Sequence, residues 1–116
     1  MIRQWHVYEA DFEPTVGHEQ RGRRPALVVS SDEINDTNWL IVVVPLTTRK
    51  SERPVYSGEA LIPRGVGGTR AESIALVHQV RALDPGRLGA YMGSVDDAAI
   101  RAKVKDAVWD VFDGCI

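Results

Sequence analysis

The spacing of apolar positions changes several times along the chain, and each change marks an element. Trp5 to Asp11 combines aromatic and β-branched residues without a breaker and predicts a first strand. Gly17 to Arg24 is a polar loop. Pro25 then opens a second strand, Ala26 to Ser31, apolar on both faces and so expected in the middle of a sheet. Asp32 to Asn38 reads as a turn-rich connector, and Trp39 to Leu46 as a β-branched third strand with Thr47 at its end. Arg49 to Ser57 is polar, holds Pro54 and predicts an exposed loop. A short strand over Gly58 to Ile62 and a flexible loop over Arg64 to Arg70 follow. Ser73 to Leu83 is a long β pattern, Asp84 to Arg87 a turn, and Leu88 to Val95 another extended piece. Ile100, Val104, Ala107, Val108 and Val111 then recur at helical spacing. Ser94 and Asp97 suit a variant capping box at the start of that helix and Gly114 a stop at its end.

Many short strands followed by one amphipathic helix predict a mainly β, α+β architecture, a small, strongly twisted barrel or curled sheet. The 116 residues, 44% of them hydrophobic, suit one domain over 1–116 with a modest core. Cys115 is the single cysteine, so no intrachain disulfide and no thiol cluster for zinc is expected. Charges near the start and the short Leu40 to Val44 run argue against a signal peptide and a membrane span, and predict a soluble, unprocessed, cytoplasmic protein.

The formal net charge of -2 argues against indiscriminate coating of nucleic acid. Its distribution says more. Gly17 to Ser31 carries +2 and Pro45 to Arg70 carries +3, whereas Asp96 to Ile116 carries -2. The two basic tracts flank the second and third strands, and Arg21, Arg23 and Arg24 bring fork-shaped cations suited to gripping phosphate.

The ordering Gly17-His18-Glu19-Gln20-Arg21-Gly22-Arg23-Arg24-Pro25, an apolar strand, then Pro45-Leu46-Thr47-Thr48, resembles the MazF/PemK family of toxin endoribonucleases. The likeness continues through Glu72 to Asp84 and covers most of the chain. It implies an SH3-like, CcdB-like fold. It also implies a homodimer, to which some of Trp39, Tyr91, Trp109 and Val111 would contribute as residues beyond the needs of one core, the alternative being a monomer with those aromatics partly exposed. Single-stranded RNA would be the substrate and an acidic antitoxin the partner, with no cofactor or metal. Metal-free cleavage would proceed by attack of a 2′-hydroxyl on phosphorus, leaving a 2′,3′-cyclic phosphate and a 5′-hydroxyl.

The resemblance makes Arg24 and Thr47 catalytic and supports Glu19 as proton acceptor. Arg24 would brace the nonbridging oxygens, and Thr47 would donate to one of them, with Thr48 expected on the opposite face. Glu19 could equally be an exposed glutamate paired with Arg21 or Arg23. His18 would assist Glu19 or be incidental. Gln20 and Gln79 carry amides able to read base edges, while Arg49 and Lys50 would hold phosphates. Gln79 as a structural amide, and Tyr56 as a base-stacking ring or a solvent-facing one, both stay open. The opening Gln4-Trp5-His6-Val7-Tyr8 departs from the Arg-Gly-Asp-Val-Tyr-like start of many relatives, which leaves contacts at that edge open. Two rivals fit the same scaffold: a CcdB-like gyrase poison acting through the C-terminal helix, and an RNA-binding module without catalysis.

Overall fold

The computed structural model describes residues 1–112. Seven strands, β1 (His6–Asp11), β2 (Arg23–Val28), β3 (Ile41–Thr48), β4 (Glu59–Ile62), β5 (Ser73–Leu76), β6 (Arg81–Leu83) and β7 (Leu88–Ser94), form one antiparallel sheet. Its order is β4-β5-β3-β2-β1-β7, with β6 also on β3. A short helix α1 (Asp32–Asn35) follows β2, and the long helix α2 (Ala98–Phe112) closes the described chain. The sheet curls without closing into a barrel, since no ladder joins β4 to β7 among the described residues.

The middle strands are apolar on both faces because each face has a core of its own. Leu27, Val44 and Leu46 point into a cluster with Val7, Ile62 and Val77, whereas Ala26, Val28, Ile41 and Val43 join Phe12 and Leu83 on the other side. Helix α2 covers the first cluster. Its Val104 and Ala107 are buried there, and Ile100, Val108 and Val111 pack against it, as the spacing predicts. Val111 is therefore spent on its own core, unlike Trp39, Tyr91 and Trp109, which are exposed. Asp97 caps α2 by accepting from the N–H groups of Ala99 (2.8 Å) and Ile100 (3.1 Å), while Ser94 bonds Asp96 instead. The Gly114 stop and Cys115 lie outside the described residues.

Three sequence expectations need correction. β2 begins at Arg23, ahead of Pro25, because Arg23 and Arg24 pair with Asp11 and Ala10 of β1. The long β pattern from Ser73 is broken by a 3-10 turn at Val77–Gln79, so that β5 and β6 serve different halves of β3. The Arg64 to Arg70 loop has a fixed shape. Thr69 is buried, its Oγ1 accepting from Gly65 N (3.1 Å) within reach of the Val66 carbonyl (2.9 Å). Gly68, at φ +72, lies so close to β7 that a Cβ there would fall 2.0 Å from the Met92 carbonyl oxygen.

Candidate active site

The site is built around a fork. β2 and β3 share the pairs Val28↔Val43, Leu27↔Val44 and Ala26↔Pro45, and no further. Pro45 stands in this last pair and Pro25 is the next residue of β2, and neither has an N–H to offer the ladder. Beyond it β2 stays with β1, while β3 pairs with β5 as Leu46↔Ala75 and Thr47↔Ile74. Alternation places Arg24 on the face of Ala26, and Thr47 on the face of Pro45, which is the same face. By that alternation the two residues share a face of the sheet at the fork.

Arg24 is half-buried, and its Nε donates to the Arg21 carbonyl (3.0 Å). Its terminal nitrogens bond to no described residue, so the fork of donors is held at its base and free at its tip. Thr47 is half-buried and Thr48 exposed, and neither hydroxyl has a hydrogen bond among the described residues.

On one side of the fork lies a cavity of about 620 Å³ whose walls include Phe12, His18, Glu19, Gln20, Pro45, Gln79 and Arg81. The tie that brings these segments together is the bond from Gln20 N to Gln79 Oε1 (2.7 Å). The turn at Val77–Gln79 aims the Gln79 amide at the Gly17 to Gly22 loop, which a continuous strand would not do. Glu19 is exposed and forms no ion pair with Arg21 or Arg23; its carboxylate accepts from Val16 N. The Arg81 guanidinium sits 5.9 Å from the centre of the Phe12 ring in the same wall. Sequence reasoning passed over Arg81, although its position two residues after Gln79 was the available signal.

A second cavity, about 330 Å³, opens where β2 and β3 part. Arg23, Arg24, Thr48 and Arg70 border it with Glu9 and Ser73. Thr47 borders neither cavity, and Thr48 rather than Thr47 shares one with Arg24. Glu19 and Arg24 line different cavities.

Arg49 is less available than its sequence suggests. Its Nη1 bonds Glu72 (3.0 Å) and its Nε donates to the Arg53 carbonyl (2.7 Å), whereas Lys50 is exposed. Within the Arg49 to Ser57 loop Arg53 grips Glu59 with both terminal nitrogens, each at 2.8 Å, and lies 5.1 Å from the centre of the exposed Tyr56 ring. Those bonds from Arg53 hold the Glu59 carboxyl below the usual glutamate range, against the opposing effect of burial.

The family model for the PemK-like, MazF-like toxin of type II toxin-antitoxin systems matches residues 3–112. The chain belongs to this toxin family. The toxin is 30% identical over 105 residues to endoribonuclease MazF9 of Mycobacterium tuberculosis, covering 86% of this chain and 87% of that protein. It is also 30% identical over 97 residues to endoribonuclease EndoA of Bacillus subtilis, covering 84% and 83%. The crystal structure of MazF from Deinococcus radiodurans superimposes with a TM-score of 0.78, at 28% identity over 96% of both chains. The toxin's curled sheet with one long C-terminal helix is the architecture of that structure.

Proposed function

We propose that this toxin is a sequence-selective endoribonuclease that cuts single-stranded RNA without a metal ion, working as a homodimer in the cytoplasm under the control of an acidic antitoxin. The 2′-hydroxyl next to the scissile linkage gives up its proton and attacks phosphorus, the P–O5′ bond breaks, the leaving oxygen takes up one proton in exchange, and the products carry a 2′,3′-cyclic phosphate and a 5′-hydroxyl. Arg24 presents its free nitrogens to the nonbridging oxygens, where charge grows in the pentacoordinate state. Thr47 donates its hydroxyl to the same group. A guanidinium stays protonated in proteins, so Glu19 is the better acceptor for the 2′-hydroxyl proton, with His18 beside it. Gln20 and Gln79 read a base in the larger cavity, and Arg49 and Lys50 hold the strand that leads to it.

The observation that supports the reading is the parting of β2 from β3 beyond the Ala26↔Pro45 pair, a register in which strand alternation gives Arg24 and Thr47 a common face. The endoribonuclease names of the relatives support the activity, and the family's place in toxin-antitoxin systems supports the partner. Exposed Trp39, Tyr91 and Trp109 support pairing of protomers.

The test is incubation of the purified protein with a long single-stranded RNA in EDTA, beside Arg24→Ala and Thr47→Ala. Discrete fragments ending in cyclic phosphate are expected, with rates falling on the order of 10²-fold or more in each variant. Intact RNA, or cleavage indifferent to Arg24→Ala, defeats the proposal.

A further inference from the structure

The smaller cavity has a chemistry of its own, supplied by residues that the cleavage step leaves unused. Arg23 enters it from β2 and Arg70 from the end of the loop that follows β4. Neither guanidinium pairs with a carboxylate among the described residues, although Glu9 lies in the same wall. Thr48 brings a hydroxyl without a hydrogen bond among the described residues. Ser73, by contrast, already donates to the Ala71 carbonyl (2.8 Å). The arrangement is held in place. A Cβ at Gly89 of β7 would lie 2.7 Å from Arg23 Nη2, so the absence of a side chain there leaves room for the Arg23 head across β1. Arg70 directly follows buried Thr69, whose hydroxyl ties the loop. Arg24 borders this cavity too, which joins it to the fork.

Resting on the ribonuclease reading, we infer that Arg23 and Arg70, with the Thr48 hydroxyl, form a second phosphate subsite, which grips a linkage next to the one that is cut. Three guanidiniums against one carboxylate leave the cavity cationic, and its volume of about 330 Å³ accommodates a phosphodiester group with its water. The subsite reads no base. It fixes the register of the strand so that the scissile linkage falls at Arg24, which makes Arg23 and Arg70 positioning residues.

The experiment measures equilibrium binding of an RNA oligonucleotide made uncleavable by a 2′-O-methyl group at the cut nucleotide. A single neutral methylphosphonate is stepped through its linkages. Wild-type protein is compared with Arg23→Gln/Arg70→Gln and with Arg70→Lys, all checked for native thermal unfolding. At one linkage adjoining the cut, the methylphosphonate is expected to weaken wild-type binding about tenfold and the double variant not at all. The salt slope of log affinity should fall by about 0.7 in the double variant, with Arg70→Lys restoring part of it. Cleavage by the double variant should show a raised KM with little change in kcat. An unchanged slope, or a methylphosphonate penalty that persists in the double variant at every linkage, overturns the subsite. The mapped penalty without any cleavage by wild type would instead sink the ribonuclease reading and leave the subsite standing.

Discussion

Glu59→Gln removes the charge at the best-made ion pair of the toxin. Both carboxylate oxygens accept from Arg53 at 2.8 Å, and Oε1 also accepts from Tyr56 N at 3.0 Å. The Glu59 side chain is 4% exposed, so loss of its charge is poorly replaced by water, whereas Arg53 at 34% recovers part of its hydration. Hydrogen bonds to charged groups contribute about 1.5–3 kcal/mol each, and solvent screening on the Arg53 side reduces the pair to roughly 2 kcal/mol in all. With a urea slope of about 2 kcal/mol per molar, the unfolding midpoint at pH 7 should drop by about 1 M. The pH dependence has a definite sign. Because the folded-state pKa of Glu59 is depressed, its contribution is complete above the unfolded glutamate value near 4.3 and is lost as pH falls through the folded value. The gap between wild type and variant should therefore narrow steadily below about pH 4. An equal gap at pH 3 and pH 7, or a gap under about 0.5 kcal/mol at pH 7, would refute the assigned role of the pair.

Gly68→Ala should lower stability by about 3 kcal/mol or more, because both its positive φ and the Met92 carbonyl oppose a side chain. Gly65→Ala, at φ +91 with nothing within 4 Å, should lose only about 1 kcal/mol, and equal melting temperatures for the two would contradict the close approach to β7. Gln79→Leu removes the acceptor of the Gln20 N–H, and amide exchange at Gln20 should speed roughly tenfold; unchanged protection would show that the loop is held by something else. Asp97→Ala should weaken α2 by about 1 kcal/mol, read as a fall of several degrees in Tm, and an unaltered Tm would mean that the cap adds nothing.

The parts of this fold written in short-range pattern are legible in the sequence. Aromatic and β-branched residues marked β1, a β-branched run marked β3, and the helical repeat from Ile100 to Val111 named the face that α2 buries. Pairing decisions made over long range are not. Arg23 and Arg24 have no preference for strand, and only their partners on β1 extend β2 past Pro25. The apolar run from Ser73 to Leu83 contains no glycine or proline to announce its break, which follows from the demand of β3 for two different neighbours along one edge. Helix α1 has four residues, too few for a period, and rests on Ser31 accepting from Ile34 N. At the candidate site, the family resemblance named Arg24, Thr47 and Glu19 and amide chemistry named Gln20 and Gln79, and a hydrogen bond does join the segments of Gln20 and Gln79. The division into two cavities, and the company that Arg23 and Arg70 keep, depend on the fork and on a loop whose shape is fixed by one threonine and two glycines.

The fork itself is tested by single-turnover cleavage of one RNA by Arg24→Ala, Thr47→Ala, their double variant and Thr48→Ala. If Arg24 and Thr47 brace the same phosphate, the double variant should lose little more than the worse single one, because the two act as a unit. Thr48→Ala should then raise KM and leave the cleavage rate nearly intact. A rate that collapses in Thr48→Ala while Thr47→Ala cuts normally would contradict the pairing of Arg24 with Thr47, as would losses in the two single variants that simply multiply.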